Sequence, residues 1–256
     1  MPRFAANCSM LFTERPFLER FQAAAAAGFR AVEFQFPYAE PAARIRERLD
    51  AAGVQAVLHN LPAGDWAAGD RGLACDASRA AEFRAGVPQA IAYAQALGVP
   101  RLNLLAGRPG AGQTEAQTRA LFLEQLCFAA DALAAAGLTL LVEPINTHDV
   151  PGFWLRTVDQ AAELLDAAGR DNVFIQADLY HMQRMGGDLA ATLRRLRPRI
   201  GHVQFADNPG RHEPGTGELH FAFLFAELDR LGFDGWVGAE YLPSTRTEET
   251  LHWLKA

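Results

Sequence analysis

Glu143 closes the apolar run Leu138-Thr139-Leu140-Leu141-Val142, and Asp178 closes Val173-Phe174-Ile175-Gln176-Ala177. Gln204 sits inside the run that begins Gly201-His202-Val203, and Glu240 closes Trp236-Val237-Gly238-Ala239. A polar group at such a place must find a partner or cost free energy. One carboxylate ending a strand is ordinary. Three carboxylates and an amide on four successive strand ends form an oxygen-only set that suits one hard cation. Magnesium is the expected ion and manganese the second choice. No cysteine is placed to join the set, which disfavours zinc. Without a cation, three converging carboxylates would repel and raise at least one pKa. The plainer alternative is that each group bonds to amides of its own loop.

Two of the four, Glu143 and Glu240, are also candidate catalytic residues. Two carboxylates facing one small substrate can shuttle a proton between adjacent carbons. A cation beside them would polarise a carbonyl and favour an enediolate. A purely metal-binding or structural pair is the competing reading.

The elements that must position these groups repeat. The four residues are spaced by 35, 26 and 36 positions, each about one β-loop-α-loop unit. Strands are expected at 4–8, 31–36, 54–60, 101–105 and 138–143, then at 173–178, from Gly201 onward, and at 236–240. Helices are expected from Pro16 to Gly28, at 41–52 and at 77–97, the last open to interruption at Gly86 and Pro88. Others follow at 114–136, from a Thr157 cap to Ala168, from an Asp188 cap, at 221–231 and at 248–255. Leu179 to Gly187 reads as a loop. Alternating short apolar strands and helices imply an α/β protein with a parallel sheet covered by helices. Eight units in a chain of 256 residues favour a single closed (β/α)8 barrel domain over residues 1–256. No Gly-x-Gly-x-x-Gly follows the first strand, which argues against an open dinucleotide-binding sheet. In a barrel, loops after strand C-termini form the active face, and all four polar groups lie there. Glu143 and Glu240, three strands apart around the ring, would face each other across the mouth.

Other mouth-side residues are candidates for the substrate. His59 ends the third strand, and His148, His181 and His212 lie in mouth loops. Arg71 and Arg211 lie in such loops too, and an anionic substrate needs a basic fork. Surface arginine is the ordinary alternative for each. His202 shares a strand face with Gln204, so it is either packed or next to the cation. His220 and His252 read as exposed helical residues. Trp66, Phe12 and Tyr241 either line the pocket or pack in the core.

Composition narrows the class. Net charge is −6, which argues against a phosphate-tracking surface and hence against nucleic acid. Three cysteines without a CxxC pattern fit a reduced, cytoplasmic setting. No apolar run approaches the roughly 18 residues of a membrane span, and the start reads directly into a strand.

Several stretches then match one family: Val142-Glu143-Pro144-Ile145-Asn146, Gln176-Ala177-Asp178-Leu179-Tyr180-His181-Met182-Gln183, Gly201-His202-Val203-Gln204, the run Pro209 to Glu218, and Gly238-Ala239-Glu240-Tyr241. Together they resemble hydroxypyruvate isomerase, one of the xylose isomerase-like (β/α)8 barrels, over essentially the whole chain. The resemblance implies interconversion of hydroxypyruvate and 2-hydroxy-3-oxopropanoate. It implies catalysis by Glu143 and Glu240 and a divalent cation at Glu143, Asp178, Gln204 and Glu240. His59, Arg71, His181 and Arg211 are the expected contacts to a 2-oxo acid. Relatives that isomerise 2-oxo-tetronates share the motifs, so a four-carbon substrate is the alternative. An endonuclease IV-like metal nuclease, which shares the barrel, is a remote third. A homo-oligomer is compatible with the chain.

Overall fold

Eight short parallel strands pair in chain order and close on themselves: β1 Arg3–Asn7, β2 Ala31–Glu33, β3 Gln55–Asn60, β4 Arg101–Leu104, β5 Thr139–Val142, β6 Val173–Asp178, β7 Ile200–Phe205 and β8 Trp236–Ala239. The computed structural model describes residues 1–255. The ring is completed by β1 against β8, with Ala6 opposite Ala239. Around it run α1 Phe17–Ala26, α2 Ala42–Ala52, α3 Ala80–Leu97, α4 Glu115–Ala135, α5 Val158–Ala168, α6 Leu179–Met185, α7 Leu189–Leu196 and α8 Phe221–Arg230.

The helices begin and stop where local chemistry requires. The Thr114 side chain accepts the Gln117 N–H while Gln117 reaches back to the Thr114 N–H, a reciprocal cap for α4. Thr157 caps α5 by accepting the Gln160 N–H. Gly53 ends α2 in the left-handed region at φ 67°, where a side chain would be strained.

Five expectations need correction. The stretch 179–187 holds the short helix α6, whose N-terminus Asp178 caps by accepting the Tyr180 N–H at 2.8 Å. A two-turn helix shows too little periodicity to read. Asp188 precedes α7 at φ 47° but makes no side-chain cap. Helix α3 runs unbroken through Pro88, and Gly86 there lets Pro62 come close, 3.1 Å from where a Cβ would sit. The last segment, Thr247–Lys255, is 3₁₀ and kinked at Leu251. Strand β2 also stops at Glu33, three residues short of Phe36.

Large apolar side chains fill the layer between sheet and helices, Phe21, Ile45, Leu49, Phe122 and Phe205 among them. The barrel lumen is different. Strand alternation turns Asn7, Glu33, His59, Asn103, Gln176, Asp178, His202 and Gln204 inward, and all are buried. At the N-terminal end of the barrel, Ala5, Ala31 and Val57 pack with Trp236. There Arg101, the first residue of β4, crosses to donate to the Gly201 carbonyl of β7 at 3.0 Å. Position 201 admits only glycine, since a Cβ would lie 2.7 Å from Phe174 and 2.8 Å from Leu141.

Candidate active site

At the opposite end of the barrel, Glu143 and Glu240 stand one residue beyond β5 and β8. Asp178 is the last residue of β6, and Gln204 lies opposite it on β7. All four are buried. Asn103, inward-facing on β4, donates to Glu143 Oε2 at 2.8 Å. The other Glu143 oxygen lies 4.0 Å from His181 Nε2, and Asp178 Oδ2 lies 3.6 Å from the same nitrogen. Ligand atoms of Glu143, Asp178 and His181 fall within 4.8 Å of one another, a group able to hold a metal ion. Asp178 Oδ2 is buried without a hydrogen-bond partner.

The protonation of His181 is set by Asn146. The Asn146 carbonyl oxygen accepts the backbone N–H groups of His148 and Asp149, so its amide nitrogen faces His181 Nδ1 at 2.7 Å. Nδ1 therefore accepts. Burial, with Arg211 and Arg184 nearby, holds the imidazole well below its ordinary pKa, so the ring is neutral. Its one proton then sits on Nε2, facing the two carboxylates. In this state His181 donates a hydrogen bond rather than a lone pair.

Glu240 is held from three sides. Its Oε1 accepts from Asn7 Nδ2 and Gln35 Nε2, each at 3.0 Å, and its Oε2 accepts from Arg211 at 2.7 Å. The same guanidinium nitrogen is 3.6 Å from Asp178 Oδ2, so Arg211 bridges the two carboxylates. Arg211 Nε is buried and unpartnered. The residue sits at φ 58° on the loop after β7. Asp207 ties that loop: its carboxylate accepts the N–H groups of Asn208, Gly215, Gly217 and Leu219 at 2.9 to 3.0 Å. A Cβ at Gly217 would lie 2.2 Å from the Asn208 carbonyl oxygen. Glu213 fastens the loop to its neighbour through the Ser244 N–H at 3.1 Å. The dense Gly, Pro and charge pattern of 207–218 is thus the recipe for one rigid loop carrying one arginine.

Crowding of charge raises the carboxyl pKa values. Burial, then Glu240 and Asp178, push Glu143 well above its ordinary value, against Arg211 and Asn103. Burial pushes Glu240 up to about 7, with Arg211 opposing. Asp178 is also raised by burial, opposed by Arg211 and its own helix-start amides. Burial pushes His59 down to about 4.

The remaining candidates separate. His59 is fully buried at the end of β3, with Nε2 unpartnered. Arg71 turns to its own loop, donating to the Trp66 and Asp70 carbonyls and lying 4.2 Å from the Trp66 ring centre. Trp66 is exposed and packs on Phe36. Phe12 and Tyr241 are core residues with no exposure. His148, His220 and His252 are exposed, and His212 bonds the Leu242 carbonyl at 2.7 Å. His202 is wholly buried and bonds Glu33. Asn7, Gln35, Asn103 and Asn146 were not singled out by the sequence. Their signal is faint: an amide at an inward position near a strand end.

An eight-stranded barrel with this mouth defines a class. The chain belongs to the xylose isomerase-like TIM-barrel family, whose model matches residues 21–256. It is 50% identical to the 2-oxo-tetronate isomerase of Cupriavidus necator over 255 residues, all of this chain and 98% of that protein. It is 49% identical to the hydroxypyruvate isomerase of Escherichia coli over 254 residues, 99% of this chain and 98% of that one. A crystal structure named AP endonuclease, family 2, from Brucella melitensis superposes with a TM-score of 0.97 at 45% identity, covering 100% and 98% of the two chains.

Proposed function

We propose that the protein is a hydroxypyruvate isomerase, interconverting hydroxypyruvate and 2-hydroxy-3-oxopropanoate through an enediolate. The observation that carries this is the pair Glu143 and Glu240, two carboxyls of raised pKa on β5 and β8 at one barrel mouth. In the forward direction one carboxylate takes a proton from C3. Charge passes to the enediolate oxygens, a proton returns to C2, and the hydroxyl proton moves from the C3 oxygen to the C2 oxygen. Glu240, at about 7, can both accept and release a proton near neutrality. Arg211 Nε and the Nε2–H of His181 are oriented donors for the substrate's carboxylate and oxygens, and His59 Nε2 adds a third polar contact.

The donor set fits a hard divalent cation, magnesium or manganese. The lone Asp178 oxygen and the cluster with Glu143 support that. Glu143 and Asp178 would hold it, with Gln204 and Glu240 as further oxygens beside them. When bound, such an ion would polarise the carbonyl and favour charge on the enediolate oxygens.

A four-carbon 2-oxo-tetronate is the second reading, favoured by the similarity to the Cupriavidus necator protein. DNA cleavage, suggested by the name of the Brucella melitensis structure, sits badly with a net charge of −6 and a mouth of three carboxylates. The reading calls for a cytoplasmic enzyme whose partner is a small 2-oxo acid, with assembly into a homo-oligomer compatible with it. Among the described residues, no helix is long and apolar enough to cross a membrane. The test is turnover of three- and four-carbon 2-oxo acids and of abasic duplex DNA, each with Mg²⁺ or EDTA. Highest kcat/KM on hydroxypyruvate supports the proposal, and highest kcat/KM on a tetronate replaces it with the second reading.

A further inference from the structure

Glu33 ends β2, is fully buried, and has no part in the proton path, cation set or substrate contacts above. Three donors from two other strands, β1 and β7, converge on it. His202 Nε2 reaches Oε2 at 2.6 Å, while Gln204 Nε2 at 2.7 Å and Asn7 Nδ2 at 3.0 Å share Oε1. The contact to Gln204 crosses the lumen from β2 to β7. Gly238 makes room for it, since a Cβ there would lie 2.4 Å from Glu33 Oε1.

An ionised carboxylate only accepts, whereas a primary amide can turn over and exchange its oxygen and nitrogen at little steric cost. Gln204 left to itself would present either atom. Glu33 engages the nitrogen, so the oxygen faces away from it. There Gln176 Nε2 donates to that oxygen at 2.5 Å, and Asp178 stands opposite on β6. An amide oxygen has two lone pairs, and Gln176 uses one. We infer that Glu33 is a positioning residue that locks the Gln204 amide with its oxygen toward β6, the strand that ends in Asp178, turning an ambiguous side chain into a defined neutral oxygen ligand. The inference rests on the reading of Gln204 as part of the cation set.

Calorimetric titration of the substrate-free enzyme with Mn²⁺ tests it. Gln204→Ala should bind more weakly than wild type, which establishes the ligand. Glu33→Met keeps the length of the side chain and removes the acceptor, so nothing fixes the Gln204 nitrogen and the amide is free to turn it toward Asp178. Its dissociation constant should rise about tenfold or more, as for loss of a ligand's support. The swap Glu33→Gln with Gln204→Glu keeps atom count and charge and restores an oxygen at position 204 whichever way the group turns. It should recover most of the loss, which repair of packing alone would not do. Mn²⁺ affinity in Glu33→Met equal to wild type, or no recovery in the swap, overturns the inference. Should Glu33→Met fail to fold, a swap as weak as Gln204→Ala overturns it equally. If wild type and Gln204→Ala bind alike, the ligand reading falls and this inference with it, a pattern distinct from one confined to position 33.

Discussion

Glu143 and Glu240 differ in how they are held, and the difference sets what each can do. Glu240 has three donors on its two oxygens, Glu143 has one, from Asn103. Replacing either with Gln keeps size and an oxygen but removes the base. Each variant should lose about 10²-fold or more in kcat, in line with general-base contributions, with its melting temperature maintained or raised. Retention of near wild-type turnover would remove that residue from the proton path. The double variant should be far less than multiplicatively worse, because both act on one proton. These two residues were legible in the sequence because a carboxylate at the end of an apolar run is conspicuous. Asn7 and Asn103, which aim them, were not. An asparagine near a strand end is equally consistent with a turn, and only the closed ring shows which carboxylate it meets.

At the scale of elements, the loop after β7 is organised by Asp207, whose carboxylate accepts four backbone N–H groups. Asp207→Ala leaves those donors without that acceptor and frees the backbone that carries Arg211. Steady-state kinetics should show KM rising and kcat falling together, with a stability loss of about 1–3 kcal/mol as the part-buried donors lose a charged acceptor. Unchanged kinetics would mean Arg211 is placed by its own ion pairs alone. The sequence made this loop visible as a run of Gly, Pro and charge, and it placed the strand ends, that of β2 excepted, because β-rich runs stop at polar residues. It missed α6, where seven residues of mixed polarity carry no period and the cap, Asp178, had already been read as a ligand. Both roles use different oxygens: Oδ1 caps the helix and Oδ2 faces the mouth.

For the whole molecule, gathering carboxyls at one rim costs stability. Folded Glu240 titrates near 7 against an ordinary 4.5. Between those values the folded chain keeps a proton that the unfolded chain has lost, so stability falls as pH rises through the window. Metal-free protein should therefore melt at a lower temperature near neutrality than near pH 4.5. A divalent cation binds the ionised rim and should reverse that slope. At 100 times its dissociation constant it adds about 2.7 kcal/mol, and EDTA should abolish the gain. A melting temperature indifferent to Mn²⁺ at neutral pH would count against the cation set.

Arg101 and the packed residues beneath it shut the barrel at its N-terminal end, so the lumen is a vessel with one opening. Substrate, product and water all share that door. A hydrogen lifted from one carbon is then confined with the few groups at the rim until the vessel empties. The enzyme should have a memory: single-turnover product formed in D₂O would carry part of the original protium on its new carbon, rather than deuterium alone.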